Sequence, residues 1–256
     1  MDERTMAIKE FFEKNQLGME DIFQFKCNSC GKCCKNREDI ILPPYDLFKI
    51  AQHLHMSAEA VVEKYGEWYI GSNSRIPIVR IKPAGAGKRC PFLEGKLCRI
   101  HEAKPSVCGL YPLGRAIKYD RDDERNDKLE IAYFRQPHDC SVKKSQTVSE
   151  WLERFDLKKT EPLFIRWSEF LKIATPIISD LEKSLEPYAA LILSSSLYKR
   201  LYLEFEDDRP FEDQFLKNTN IAKAGLQRLA NMTSVLSNDP ESTMLQILGA
   251  MAVAYE

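Results

Sequence analysis

The 256-residue sequence has no cysteine or histidine after Cys140, no apolar run long enough to span a membrane, and no surplus of one charge. Each absence excludes something. With 37 basic and 38 acidic side chains the formal charge is -1. No overall field would hold a polyanion or an acidic bilayer, and neither nucleic acid nor membrane is expected as a partner. The opening MDERTMAIKEFFEKNQ lacks the basic start, apolar stretch and small-residue cleavage site of a secretory signal. A cytoplasmic location is therefore expected, where a reducing environment keeps cysteines as thiols and makes disulfides the minor alternative. No Ser-His-Asp order, paired carboxylates or phosphate loop rises above chance, and no catalytic residue is assigned.

What is present is concentrated in one half. All eight cysteines and all four histidines fall between Cys27 and Cys140. The expected organisation is a cysteine-cluster metal-binding domain over residues 1–145, opening with a helical lead-in to residue 26, and a helical region over 146–256 packed on it. The expected fold class is α+β, predominantly helical, with a cysteine-rich metal-binding core, a few short strands and a C-terminal helical region.

After Pro43-Pro44, residues Leu47, Ile50, Ala51 and Leu54 recur at helical spacing. A second helix starts at Ser57, presents Ala60, Val61 and Tyr65 inward, and stops at Gly66. The segment RIPIVRIKP alternates at Ile76 and Ile78 and slips out of phase at Ile81; with KLEIAYFR (128–135) it predicts short antiparallel strands. The run DRDDERND (120–127) reads as a solvated turn. Beyond Val148, one helical face carries Trp151, Leu152 and Phe155, and another carries Phe164, Trp167, Phe170 and Leu171. Pro162, Pro176, Pro187, Pro210 and Pro240 are placed as helix starts or breaks.

The chemistry lies in the cysteines. Cys27, Cys30, Cys33 and Cys34 put four soft donors in eight residues, with Gly31 permitting the tight turn that converges them. In extended backbone Cys33 and Cys34 would point to opposite faces, so one of them is expected to serve another site, stay unligated, or join a cluster of several irons. Cys90, Cys98, Cys108 and Cys140 supply distant ligands. Eight sulfurs suit two four-ligand sites, or one four-thiolate cluster with structural remainder. His101 and His138 lie near cysteines and are weaker candidates; His53 and His55, two apart on a helix, do not share a face.

CNSCGKCC followed by CPFLEGKLCRIHEAKPSVCGLYP resembles the YkgJ-type CxxCxxCC cysteine-cluster family, described as a zinc- or iron-chelating domain, over roughly residues 20–142. The resemblance assigns Cys27, Cys30, Cys33 and Cys34 to the family's first cluster, Cys90, Cys98 and Cys108 to its second, and Cys140 to its trailing cysteine. His101 stands where the family usually has Tyr, Lys104 where it has Arg, and Gly109 where Arg or Lys is frequent. A more distant similarity runs to the flagellin lysine N-methylases. The Gly-rich candidate that such an enzyme's cofactor site would need, Ala84-Gly85-Ala86-Gly87, reads as an ordinary loop.

Widely spaced single cysteines after a dense cluster favour an iron–sulfur cluster, of the 4Fe-4S type, over Zn2+. The expected function is a metal-binding protein with a structural, redox or electron-transfer role and a protein or redox partner. The alternatives are a protein lysine N-methyltransferase-like enzyme and a zinc-stabilised protein-interaction module.

Overall fold

The computed structural model describes residues 3–118, 129–138, 140, 143–232 and 239–252. The first third alternates short elements. Helix α1 (Glu3–Asn15) leads into strands β1 (Gln16–Leu17) and β2 (Ile22–Gln24), then past the first cysteines to β3 (Ile41–Leu42), α2 (Pro44–Leu54), α3 (Ala58–Tyr65), β4 (Gly66–Ile70) and β5 (Pro77–Ile81). The second cysteine group occupies a small hairpin, β6 (Leu93–Glu94) and β7 (Leu97–Cys98), and a one-turn helix, α4 (Ser106–Leu110). Strands β8 (Leu113–Lys118), β9 (Glu130–Arg135) and β10 (Ser145–Thr147) follow, and the rest is helical: α5 (Val148–Leu152), α6 (Glu161–Leu181), α7 (Pro187–Tyr198), α8 (Phe211–Met232) and α9 (Pro240–Ala252). The architecture is α+β and predominantly helical. No helix among the described residues is long and apolar enough to cross a membrane.

The strands pair antiparallel as β1-β9-β8, β10-β2, β3-β5-β4 and β6-β7. Local chemistry accounts for their neighbours. Pro44 starts α2 with its φ already helical, and Ser57 caps α3 by accepting the Ala60 N–H at 3.1 Å. Thr147 and Glu150 form a reciprocal capping box on α5. Pro162, Pro187, Pro210 and Pro240 all stand at or just before helix starts, as expected.

Three expectations are corrected. In β5 the inward residues are Val79 and Ile81, with Ile78 turned partly outward; Ile76 is buried before the strand begins, so its phase misled the count. In α3 the second inward residue is Val62 rather than Ala60. Pro176 lies inside α6 without ending it, because Ala174, Ile178 and Leu181 on either side are fully packed and outweigh one lost ladder hydrogen bond. The run 120–127 lies outside the described residues.

Two hydrophobic clusters draw residues from both sides of residue 145. The larger joins Leu47, Ile50, Val61, Val79, Ile81, Phe92 and Ile100 to Phe170, Ile178, Leu193, Leu226 and Ile247. The smaller joins Phe23, Phe25, Leu110, Leu113 and Tyr133 to Val148, Trp151, Leu152 and Leu157. Cys90, Cys98 and Cys108 pack against the larger and Cys140 against the smaller, so the cysteines lie where the two meet.

One buried polar contact sets the placement of α4. The Asp46 carboxylate, 1% exposed, accepts the Ser106 N–H at 2.7 Å and the Ser106 hydroxyl at 2.9 Å, clamping the start of α4 to α2. Lys49 Nζ lies 3.6 Å from the same carboxylate. Replacing Asp46 by Ala strands a buried N–H and removes the charge partner; a loss of about 3 kcal/mol is expected, against about 1 kcal/mol for Ser106→Ala, which keeps the backbone bond. Urea denaturation of the two variants checks the order, and equal losses would show that the carboxylate is not the clamp.

Candidate metal centre

All eight cysteines are free thiols, and all eight line one cavity of about 390 Å³. They reach it from four parts of the chain. Gly31, at φ 70°, opens the single 3-10 turn Lys32–Cys34, and a Cβ there would meet Leu93 Cδ1 at 3.3 Å. Glycine thus supplies both the left-handed backbone and the clearance that lets the β6-β7 hairpin lie against the first cluster. The Cys90 N–H donates to the Cys34 carbonyl at 2.8 Å, tying the second group directly to the first. Cys98 sits opposite Leu93 in the hairpin, Cys108 on the clamped α4, and Cys140 beside His138, whose Nδ1 accepts the Cys140 N–H at 3.4 Å.

The expectation that Cys33 and Cys34 diverge is overturned. In the 3-10 turn their sulfurs stand 4.0 Å apart. Two thiolates bound to one tetrahedral zinc at ~2.3 Å would be separated by about 3.8 Å, so this pair can serve one metal atom. Among the described residues, however, no three His, Cys, Asp or Glu side chains converge on a single ion position. The thiols are distributed round the cavity wall. Of the histidines, His101 lines the cavity and packs edge-on against Phe155, whereas His138 lies against Phe25; His53 and His55 are remote from the cavity wall.

The cavity wall carries Arg37, Lys96, Lys104 and Arg154 and no carboxylate. That electrostatics divides the thiols. The hydrogen bond with Cys34, aided by the charges of Lys104 and Arg37, pulls Cys33 down to about 6 against the opposing effect of burial. The same hydrogen bond, then burial and the neighbouring Cys33, Cys90 and Cys108, pushes Cys34 up. Burial first, and crowding by other cysteines second, raises Cys90, Cys108 and Cys140; burial also raises Cys98. Cys140 feels Cys30, Cys33 and Cys27, whereas Cys108 feels Cys90, Cys33 and Cys98, so Cys33 stands between two groups of sulfurs.

Several wall residues escaped the sequence reading. Trp151 is core, as expected, with its indole N–H donated to the Leu110 carbonyl at 2.9 Å, but it also borders the cavity. The sequence puts Phe155 on the same helical face; α5 instead ends at Leu152 and Phe155 stands at φ 57°, yet it still packs half-buried against the cluster of Trp151 and Leu152. The basic residues carry no spacing signal, because they come from unrelated turns. Ala84-Gly85-Ala86-Gly87 is the tip of a tight turn closed by Ala84 and Arg89 hydrogen bonds at 2.7 and 3.0 Å, with no helix following to receive a phosphate.

A thiol held near 6 is mostly thiolate at neutral pH, and one raised by burial is not. In metal-free protein at pH 7, Cys33 is therefore expected to be the first cysteine alkylated by iodoacetamide and Cys108 the last, with the Cys33 rate climbing through pH 6 and levelling above it. Timed labelling with mass spectrometry reads the order directly; comparable rates at the two sites would refute the division.

Among known proteins, no curated sequence and no solved structure matches the chain. Residues 26–150, just under half of its length, match the model of the CxxCxxCC family, described as a "putative zinc- or iron-chelating domain". The match begins one residue before Cys27, ends within α5, and encloses every cysteine of the cavity. Over residues 26–150 the chain is thus similar to the CxxCxxCC cysteine-domain family, and every thiol of the cavity lies inside that similarity.

Proposed function

We propose that the cavity holds an iron–sulfur centre and that the protein serves a redox or electron-transfer role, with the centre also organising the junction of the two hydrophobic clusters. One observation carries this reading: eight thiols from four chain segments surround a single cavity of about 390 Å³. A lone zinc ion needs less room than one water, roughly 30 Å³, and wants its four ligands at one point. Thiols spread round a wall suit a cluster several atoms across, ligated at its corners. The donor set fits chemically as well, since it is all soft sulfur, flanked by cations and free of hard carboxylates.

Within this reading Cys27, Cys30, Cys33, Cys34, Cys90, Cys98, Cys108 and Cys140 are the ligand pool, with Cys33 and Cys34 able to share a metal atom or bridge two groups. When bound, the cluster supplies a one-electron couple. The chain's own residues set its surroundings: Phe25, Ile81, Ile100 and Trp151 give the cavity apolar walls, and Arg37 and Lys104 offset thiolate charge, which favours the reduced, more negative state. A protein redox partner would dock at the cavity mouth, where Cys27 and Cys33 are exposed.

Anaerobic purification with a visible spectrum and assay of iron, zinc and acid-labile sulfide on one sample tests the proposal. Brown protein with iron and sulfide matched at about four per chain is expected; colourless protein with stoichiometric zinc would overturn the iron–sulfur reading and leave a structural or interaction role. Cys30→Ser and Cys108→Ser should each lose metal and lower the thermal midpoint of the loaded protein, because binding free energy is also folding free energy. Full metal retention at normal stability in either variant would remove that cysteine from the ligand set.

A further inference from the structure

We infer that the mouth of the cysteine cavity contains an oxyanion-binding subsite, in which His101, Lys104 and Arg154 gather round the ring of Phe155 to take the carboxylate or phosphate group of a small ligand. The inference rests on the metal-centre reading only for the neighbour it gives that ligand.

The first ground is unbalanced charge. The chain as a whole is nearly neutral, yet this cavity wall has four cations and no carboxylate. Arg37 is neutralised by Asp39, with Nε 2.6 Å from Oδ1. Lys104 and Arg154 have no ion pair among the described residues, although exposed cations elsewhere, such as Lys159 and Lys183, do. Charge left uncompensated in a concave, largely apolar site is worth more to an incoming anion than the same charge on an open surface.

The second ground is how these cations are held. Lys104 Nζ lies 5.1 Å from the Phe155 ring centroid and the Arg154 guanidinium 5.5 Å, and the His101 ring meets Phe155 edge-on at 5.3 Å. Arg154 also covers Trp151 at 4.3 Å. Contact with an aromatic face positions a cation without cancelling its charge, so its N–H groups stay available to an oxyanion. The three groups come from separate stretches, before α4 and after α5, and it is the fold that brings them to one ring.

The third ground is the backbone beneath that ring. Phe155 and Asp156 adopt φ 57° and 54°, two successive non-glycine residues in the left-handed region. Phe155 packs half-buried against the cluster of Trp151 and Leu152 and at the same time lines the cavity, where it meets all three polar groups. This backbone fixes the position of the ring that the three groups share. Lys104 links the two parts of the cavity, since its charge acts on Cys33 and Cys98 on one side and on His101 on the other. A bound anion would therefore sit within electrostatic range of the thiolates and of any metal they hold.

The test uses the full chain purified anaerobically, with metal and sulfide measured on every sample. Inorganic phosphate and acetate are titrated separately by calorimetry and by tryptophan fluorescence, to which Trp151 beneath Arg154 contributes. Saturable one-to-one binding of at least one anion is expected, weakened about ten-fold by Arg154→Gln with unchanged metal content, weakened likewise by Lys104→Gln, and unaffected by Lys183→Gln. A preference for phosphate or for acetate identifies which oxyanion the subsite takes. Absence of saturable binding, or binding that survives both substitutions, overturns the subsite. If Arg154→Gln loses metal along with anion binding, the cations serve the centre's own charge and the proposal falls as well. If the wild type proves metal-free but binds the anion in an Arg154-dependent way, the subsite stands and the metal reading fails.

Discussion

Eight sulfurs facing one cavity form a charge problem before they form a site. As thiols they are weak ligands; as thiolates they repel one another round a shared cavity. The chain answers in part with Arg37 and Lys104, whose charge favours one thiolate, Cys33, while burial and the other cysteines keep Cys34, Cys90, Cys98, Cys108 and Cys140 protonated. Under the proposed reading a metal cation would complete the answer, displacing those protons and placing its own positive charge among the sulfurs. Affinity must then rise with pH, because each raised thiol gives up its proton on binding.

The rest of the fold can be understood as the frame that holds these segments in place. The first cluster is a four-cysteine turn with no regular structure longer than one 3-10 turn, and an isolated turn of that kind has no reason to stay put. It is pinned by the Cys90 to Cys34 backbone bond and by the hairpin lying over Gly31. The hairpin and α4 rest on the larger hydrophobic cluster, whose other wall is built by α6, α7, α8 and α9. The helical half therefore contributes no thiol, yet it buttresses three of them. Cys140 is held through the smaller cluster, where β10 pairs with β2 and Trp151 hydrogen bonds to Leu110.

The elements that the sequence made readable are those whose reasons are local. Leu47, Ile50 and Ala51 recur at helical spacing because one face of α2 is buried, and Ser57 caps α3 through a contact three residues away. Cysteine spacing announced the chemistry, and the family match covers the same cysteines. What stayed hidden depended on distant partners. The parity of β5 is set by the core it faces, not by its own run of β-branched residues. Pro176 is tolerated because of what packs around α6. The approach of Cys33 and Cys34 follows from a 3-10 turn that only the left-handed Gly31 and its neighbours make possible. The cations of the cavity wall are scattered over more than a hundred residues, and only the folded chain shows that no carboxylate accompanies them.

His101, Lys104 and Gly109 all lie on the cavity wall. A Cβ at Gly109 would touch Leu157 at 3.2 Å and approach Phe155 at 3.6 Å, so glycine there leaves room for the turned ring of Phe155. Against that ring stand the His101 imidazole, edge-on at 5.3 Å, and the Lys104 ammonium at 5.1 Å. The three residues thus meet at one ring on the cavity wall. Under the proposed reading, the thiols of this framework would hold the metal and the residues around Phe155 would govern what approaches it.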